Sequence, residues 1–379
     1  MKKILFQLIV GFLTFTYSFG QKTEPISIGY KYNIKSVVLN ENREYWVYLP
    51  SDYKNSNYNY PVMYLLDGQE HFHEITGLVE HMSKLVQRMP RMIIVGIIST
   101  EQDRVRDYTP NPIKILPNGG GADNFIQFFQ KELIPEIENE FRTNDYRILF
   151  GHSLAGVCVN YIFVNHNELF NVYFTTDPAI FVDTTNSQNL KTFIANQDTI
   201  KAKYFLSVSG DVDSTTIEPN FELNNFIKTK YPDKLQWYFK SYPNEDHVSM
   251  TLKAIYDGLE ELFSDYKIPT SYLRSYDIGK ILSHLKKNEE KFQIHIAMPE
   301  QLFNEYAMFF CSGQKYDDAL ELLQLNLTNY TNPFETYYFI GQVYLLKGNK
   351  EKALEYFEKS YKIKEIWDVK EKIENIKNE

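Results

Sequence analysis

One serine stands in a sequence context that can turn an ordinary hydroxyl into a nucleophile. The apolar run 148–150 predicts a short buried strand, and the apolar residues up to position 164 predict a helix. Between them lies the turn Gly151-His152-Ser153-Leu154-Ala155-Gly156, which has the form of a nucleophile elbow. We call this turn the elbow and the helix after it the elbow helix. A strand that reverses sharply into a helix requires small residues, and it holds the serine strained and exposed at a helix N-terminus that favours negative charge. The pattern predicts nucleophilic chemistry at Ser153, although Ala155 stands where such turns usually have glycine.

A serine hydroxyl is a weak nucleophile at neutral pH and needs a base that a third group orients. Of the eight histidines, His247 is the one that follows the last predicted strand, where this chain order places the base. His152 adjoins the serine and is expected to point away from it. His71 and His73 are too close in sequence, and lack a third ligand, to predict a metal site. We therefore predict a base at His247, with neither a metal nor a cofactor.

Three aspartates at predicted strand ends are candidates for the orienting acid. Asp213 and Asp211 follow the strand before the histidine strand, and Asp177 follows the strand after the elbow helix. A loop one strand before the base brings acid and base to the same sheet edge, so Asp213 is favoured, with Asp211 second and Asp177 third. An Asp-Pro pair such as residues 177–178 is otherwise typical of a turn.

The third requirement is a pair of N–H donors for the oxyanion, each contributing about 2.7–4 kcal/mol to barrier lowering. In this architecture the residue after the nucleophile, Leu154, supplies one donor. The loop after strand 61–67 supplies the other, from Gly68 or, preferably, Gln69.

Strands alternating with helices must position these groups. Residues 27–39 and 43–50 predict an edge hairpin, and 70–89 and 123–141 predict helices. Residues 104–110 are interpreted as a loop. The pattern predicts an α/β fold with a mainly parallel central sheet, whose sites lie at the carboxyl ends of its strands. The buried strands are predicted at 61–67, 91–98, 148–150, 171–176, 203–209 and 235–241.

The composition changes after residue 269, and the remaining chain predicts helices only. Small and aromatic residues recur there at a period of 34, as in Ala319 and Ala353 or Phe310 and Tyr344. This period resembles tetratricopeptide repeats, roughly two of them over 301–366. Two units need a cap, which the helix near 278–292 or the preceding domain must supply. We predict a signal peptide at 1–20, an α/β domain at 21–268, a helical linker at 269–300 and an all-α helical repeat tail at 301–379.

Composition limits the function classes. The 379 residues are 43% hydrophobic with a formal charge of −9, which indicates a large core and disfavours a nucleic-acid partner.

The charged start, apolar run and small residues of segment 1–20 predict a cleaved signal peptide, hence a secreted or periplasmic protein without stable membrane insertion. Cys158 and Cys311 lie in apolar helical contexts that favour buried free thiols.

Together, these motifs resemble an esterase family of α/β hydrolases that includes enterobactin and salmochelin esterases, feruloyl esterases, S-formylglutathione hydrolases and mycolyltransferases. The resemblance covers about residues 27–263. It implies Ser153 as nucleophile, His247 as base, Asp213 of the Gly-x-x-Asp motif as acid, and Gln69 with Leu154 as oxyanion donors. The motifs that carry it are Leu65-Leu66-Asp67-Gly68, Arg106-Asp107-Tyr108-Thr109-Pro110, the glycine turn 119–121, Phe141-Arg142, the elbow, and Asp246-His247.

The resemblance implies a secreted serine esterase acting through an acyl-enzyme on a small-molecule or polysaccharide-linked ester, with siderophore, feruloyl and simple acyl esters as candidates. The alternative is a non-catalytic scaffold whose helical repeats bind an envelope protein. The sequence leaves the substrate open among these esters.

Overall fold

A computed structural model describes residues 25–112, 115–182, 184–210, 214–296 and 298–378. The predicted signal peptide lies outside the described residues. The strands are β1 (Tyr30–Ser36), β2 (Glu41–Tyr48), β3 (Tyr60–Leu65), β4 (Ile93–Ile97), β5 (Thr143–His152), β6 (Val172–Thr176), β7 (Lys203–Ser209) and β8 (Gln236–Tyr242). The helices are α1 (Gly68–Glu80), α2 (Glu101–Tyr108), α3 (Ala122–Phe128), α4 (Ile134–Glu140), α5 (Leu154–Asn165), α6 (Thr184–Asn196), α7 (Ser214–Lys230), α8 (Met250–Leu262), α9 (Thr270–Arg274), α10 (Ile278–Phe292), α11 (Glu300–Ser312), α12 (Tyr316–Asn329), α13 (Phe334–Leu346), α14 (Lys350–Ile363) and α15 (Trp367–Asn378).

The strands form one sheet in the order β1-β2-β4-β3-β5-β6-β7-β8. The first two strands are antiparallel, and β3 to β8 run parallel, which confirms the predicted edge hairpin and mainly parallel sheet. Because parallel strands share a direction, the residues that follow β3, β5, β6, β7 and β8 all emerge at one edge. That edge is where the candidate site assembles.

Both faces of the sheet are buried, as expected of a parallel sheet. In β3, Val62 and Tyr64 pack into a core with α3, α5 and α6, whereas Met63 and Leu65 pack into a core on the opposite face. This second core includes side chains of α1 and α8 and continues without a break into α10, α11 and α12. The α/β fold and its helical extension are thus confirmed.

The C-terminal helices form two helical hairpins, α11–α12 and α13–α14, followed by α15. The helix predicted near 278–292 is α10, and it packs between the sheet domain and the hairpins through Ile281 and Leu285. A second junction is made by main chain, where Asn57 N–H donates to the Asn329 carbonyl at 2.8 Å. The Thr331 N–H donates in turn to the Asn55 carbonyl at 2.8 Å. The α/β domain therefore caps the repeats, one of the two caps predicted.

Two sequence-based assignments differ from the structure. The segment 104–110 was interpreted as a loop, but residues up to Tyr108 form α2, whose N-terminus is capped by the Thr100 hydroxyl accepting from the Asp103 N–H at 3.2 Å. Its polar composition conceals this short helix, because apolar periodicity is weak over two turns. The residue pattern predicts a helix over about 221–228, and the structure begins it earlier: α7 starts at Ser214 and includes Pro219.

Cys158 and Cys311 are buried free thiols, as predicted. Within the described ranges, no helix combines the length and apolarity needed to cross a lipid bilayer.

The shared core predicts that the α/β domain depends on its helical extension. In a chain ending at Tyr266, the Phe263 and Tyr146 rings lose Phe292, whose centroid lies 5.1 and 6.0 Å away. Each large buried apolar side chain contributes about 2–5 kcal/mol, and several such losses exceed a typical total stability of about 5–15 kcal/mol. We expect this truncation to give an aggregating protein without a cooperative thermal transition. A chain ending at Lys364, which lacks only α15, is the control and should melt cooperatively; an unchanged Tm in the shorter chain would refute the shared core.

Candidate active site

Ser153 occupies the turn between β5 and α5 and has φ 59° and ψ −120°. A positive φ is strained for a residue with a Cβ, and such strain is typical of functional sites. The turn is tight because a Cβ at Gly151 would lie 2.6 Å from the Ala155 carbonyl oxygen. Main-chain bonds fix the serine from both sides: its N–H donates to the Thr176 carbonyl at 3.0 Å, and its carbonyl accepts from the Ala179 N–H at 3.1 Å. The elbow is therefore attached to the segment that follows β6.

That segment carries the carboxylate that contacts the predicted base. Asp177 follows β6 with φ 45°, and its Oδ2 lies 2.9 Å from Nδ1 of His247, in the loop after β8. The carboxylate is nearly buried at 5% exposure, whereas the imidazole is 40% exposed. Donation from Nδ1–H to the carboxylate leaves Nε2 as the acceptor, the tautomer that a general base for a serine needs.

Ser209, at the end of β7, supports the same carboxylate. Its N–H donates to Asp177 Oδ1 at 3.1 Å, and its hydroxyl donates to Oδ2. Burial by itself raises the pKa of Asp177, but the hydrogen bonds from His247 and Ser209 outweigh it and hold that pKa below its usual range. Asp177 therefore stays ionised beside the imidazole.

The structure thus brings Asp177 to His247, although the sequence ranked it third. Asp213 and Asp211, ranked first and second, lie outside the described residues. Of the carboxylates that the structure does describe, Asp177 is the one hydrogen-bonded to His247. The sequence signal for Asp177 was its position directly after the strand that follows the elbow helix. In the structure this strand, β6, pairs with the serine strand β5.

His152 links the elbow to the histidine loop, a role that sequence reasoning missed. Its Nε2 lies 2.8 Å from the His247 carbonyl oxygen, and the two rings are 4.4 Å apart between centroids. Burial, followed by charge repulsion from His247 and His71, lowers the pKa of His152 to about 3. The ring is therefore neutral, and its Nε2–H donates to that carbonyl. Because His152 adjoins Ser153, this bond connects the serine turn directly to the backbone of His247.

The two predicted oxyanion donors lie at helix starts. Leu154 is the first residue of α5, and Gln69 is the second residue of α1. The N–H groups in the first turn of a helix have no partner within that helix and are available to an anion. Both helices begin at the sheet edge that carries Ser153, so the predicted donors share its location.

A hydrogen-bonded network fixes the loop before Gln69. Asp67, with φ 52°, accepts from Arg104 Nε at 2.8 Å and donates its N–H to the Tyr108 hydroxyl at 3.1 Å. The Gln69 side chain accepts from the Ser99 N–H at 3.1 Å, and Ser99 Oγ lies 2.8 Å from the Tyr108 hydroxyl. Helix α2, which carries Arg104 and Tyr108, thus orients the loop that presents the Gln69 N–H.

The two histidines on α1, His71 and His73, differ in burial and in their contacts. His71 is buried, with Nδ1 2.8 Å from Glu74 Oε1, whereas His73 is exposed on another face of the helix. Among the described residues, no group of three metal-binding side chains is found.

Comparison with known proteins gives an esterase match and a repeat match. Residues 36–197 match the family described as "Putative esterase", and residues 334–366 match a tetratricopeptide repeat. The ferri-bacillibactin esterase BesA of Bacillus subtilis is 30% identical over 161 residues, which cover 37% of this chain and 55% of the relative. The match therefore spans little more than half the length of that relative.

Solved structures extend the similarity. An IroE-like serine hydrolase from Shewanella oneidensis has a TM-score of 0.69 at 27% identity, covering 78% of this chain and 98% of the other. An uncharacterised protein from Capnocytophaga ochracea has a TM-score of 0.59 at 16% identity, covering 93% of this chain and all of the other. The latter shows a shared fold that extends into the C-terminal helices.

Proposed function

We propose that this chain, whose residues 36–197 match an esterase family, is a carboxylic ester hydrolase with Ser153 as its nucleophile. The observation that carries the proposal is the hydrogen bond between His247 and Asp177 beside a serine in a strained strand-to-helix turn. Strained backbone is typical of functional sites, because the surrounding structure must offset its cost in stability.

In the proposed reaction, Ser153 Oγ attacks the ester carbonyl while His247 Nε2 takes its proton. Asp177 keeps the imidazole in the required tautomer and stabilises the imidazolium. The N–H groups of Leu154 and Gln69 donate to the oxyanion, each contributing about 2.7–4 kcal/mol. His247 then returns the proton to the leaving alcohol, and the acyl group remains on Ser153. Attack by water, with His247 again as base, releases the acid and regenerates the serine.

For the substrate, we propose a siderophore ester. The relative from Bacillus subtilis is named for ferri-bacillibactin. Exposed apolar side chains near the candidate triad suit a bulky substrate: Val248 follows the base and is 73% exposed, and Phe181 is 44% exposed four residues after Asp177.

We further propose that the protein acts outside the cytoplasm. The support is the sequence of segment 1–20, with its lysines at positions 2 and 3, apolar run and small residues before Gln21.

A panel of esters tests the substrate. We expect the purified full-length protein to hydrolyse ferri-bacillibactin with kcat/KM of about 10⁴ M⁻¹s⁻¹ or more, and p-nitrophenyl acetate, methyl ferulate and S-formylglutathione far more slowly. Product release is followed by chromatography, with Ser153→Ala protein as the blank. A preference for one of the other esters would refute the siderophore assignment, and no hydrolysis of any of them would refute the esterase assignment.

A further inference from the structure

A second cleft lies at the opposite end of the sheet from Ser153. It opens where β5, β6 and β7 begin and where α10 ends, and its volume is about 640 Å³. Small-molecule sites are typically of about this size. The part of it that matters here, which we call the lysine cleft, is lined by Tyr146, Phe170, Lys201, Lys203, Lys291 and Phe292.

Lys203 is the central cation of the lysine cleft. Its side chain is half-buried, and its Nζ lies 5.2 Å from the centroid of the Phe292 ring. Within the part of the chain that the structure describes, no carboxylate pairs with it. Burial, together with repulsion from Lys291, lowers the pKa of Lys203 to about 8. The protein therefore holds a partly desolvated ammonium without an anion to neutralise it.

The other charged groups around the cleft do not neutralise Lys203. Lys291 is paired with Asp265, at 3.0 Å, and Glu168 lies 3.5 Å from His166. Lys201 is exposed at the mouth, two residues before Lys203. Of these groups, Lys201 and Lys203 have no ion-pair partner among the described residues. Two unneutralised amines thus face one cavity, which also contains a single carboxylate, Glu168.

Two buried aromatic rings, Tyr146 and Phe292, form an apolar part of the cleft wall. Tyr146 is 5% exposed, and its hydroxyl has no hydrogen-bond partner within the described residues. Its ring packs edge-on against Phe292, with centroids 6.0 Å apart. The hydroxyl oxygen is buried away from the cleft, so Tyr146 contributes apolar ring surface rather than a hydrogen-bond donor.

We propose that the lysine cleft binds a phosphate-type anion attached to a small organic body. Lysine ammoniums are compact point charges with three donors and suit a tetrahedral oxyanion, whereas arginine would favour a planar bidentate partner. The Phe170 and Phe292 rings provide an apolar wall for the organic body. The site is independent of ester hydrolysis because it lies at the far end of the sheet.

Calorimetric titration of the full-length protein with phenyl phosphate and with pyrophosphate, at matched ionic strength, tests this site. We expect phenyl phosphate to bind saturably and more tightly than pyrophosphate. Lys203→Met should weaken it about 10- to 100-fold, the effect of one charge-assisted hydrogen bond. The control is Lys286→Met, which removes the same charge from an exposed position of α10 outside the cleft and should bind as the wild type does. Ester hydrolysis should be unchanged in Lys203→Met.

The pH dependence provides a second readout. As pH rises through about 8, Lys203 loses its proton, so wild-type affinity for phenyl phosphate should fall, and binding near pH 8 should take up protons. Lys203→Met should show neither effect around that pH. Absence of saturable binding up to about 10 mM, where a millimolar site would be filled, would overturn the proposal. Equal affinity of wild type and Lys203→Met for phenyl phosphate would overturn it too. Tighter binding of pyrophosphate than of phenyl phosphate would refute the claim that the anion carries an organic body.

Discussion

Replacing Ser153 with alanine should lower kcat for ester hydrolysis by about 10⁶-fold while leaving the fold intact. The expected size follows from catalytic units in which nucleophile, base and acid act together, so that losing the nucleophile removes nearly the whole contribution of the unit. The main-chain bonds of residue 153 to Thr176 and Ala179 do not involve the hydroxyl and remain in the variant.

The measurement is a progress curve with p-nitrophenyl acetate and with ferri-bacillibactin, paired with a thermal melt. Ser264→Ala, at an exposed position after α8, is the matched control and should retain wild-type kcat. Wild-type activity in Ser153→Ala would show that hydrolysis occurs elsewhere or by another mechanism.

Replacing Asp177 with asparagine should lower kcat by about 10⁴-fold. An amide in place of the carboxylate cannot hold His247 in the tautomer that accepts the serine proton, and it cannot stabilise the imidazolium. The Ser209 N–H still finds an acceptor in an asparagine carbonyl oxygen at the Oδ1 position, and the Ser209 hydroxyl can accept from the amide NH2, so the loop after β6 should keep its conformation.

Asp213→Asn and Asp211→Asn are the controls, because the sequence favoured those residues as the acid. With both variants measured alongside Asp177→Asn by steady-state kinetics, we expect each to stay within a few-fold of wild type. A large loss in Asp213→Asn with little change in Asp177→Asn would return the acid to the position that the family resemblance implied.

The difference between these aspartates shows where sequence reasoning reaches its limit. The elbow could be predicted because it depends on local features, namely an apolar strand, small residues and a helix within about 20 positions. The choice of acid depends on which loop bends toward His247, and that is set by contacts between distant segments. Asp177 and His247 are 70 residues apart, Asp177 and Ser209 are 32 apart, and His152 and His247 are 95 apart. Three aspartates at strand ends are equivalent until those contacts are known.

The helical extension illustrates the same distinction. Its helices could be predicted from periodicity, and α10 begins and ends where the sequence placed it, near 278 and 292. Its packing against the sheet could not, because apolar faces of helices do not identify the surface that covers them. Met63 and Leu65 of β3 belong to the same core as Phe303 and Phe310 of α11, although about 240 residues separate them. The linker and repeats are therefore part of the body that supports the sheet.

The most direct test of the central claim, that Ser153 is an activated nucleophile, is covalent labelling with a fluorophosphonate followed by peptide mass spectrometry. The account predicts one adduct per chain, on the peptide that contains Ser153, formed by attack of its Oγ on phosphorus with loss of fluoride. It also predicts that labelling slows sharply in Asp177→Asn. No adduct, or an adduct confined to another residue, would contradict the account.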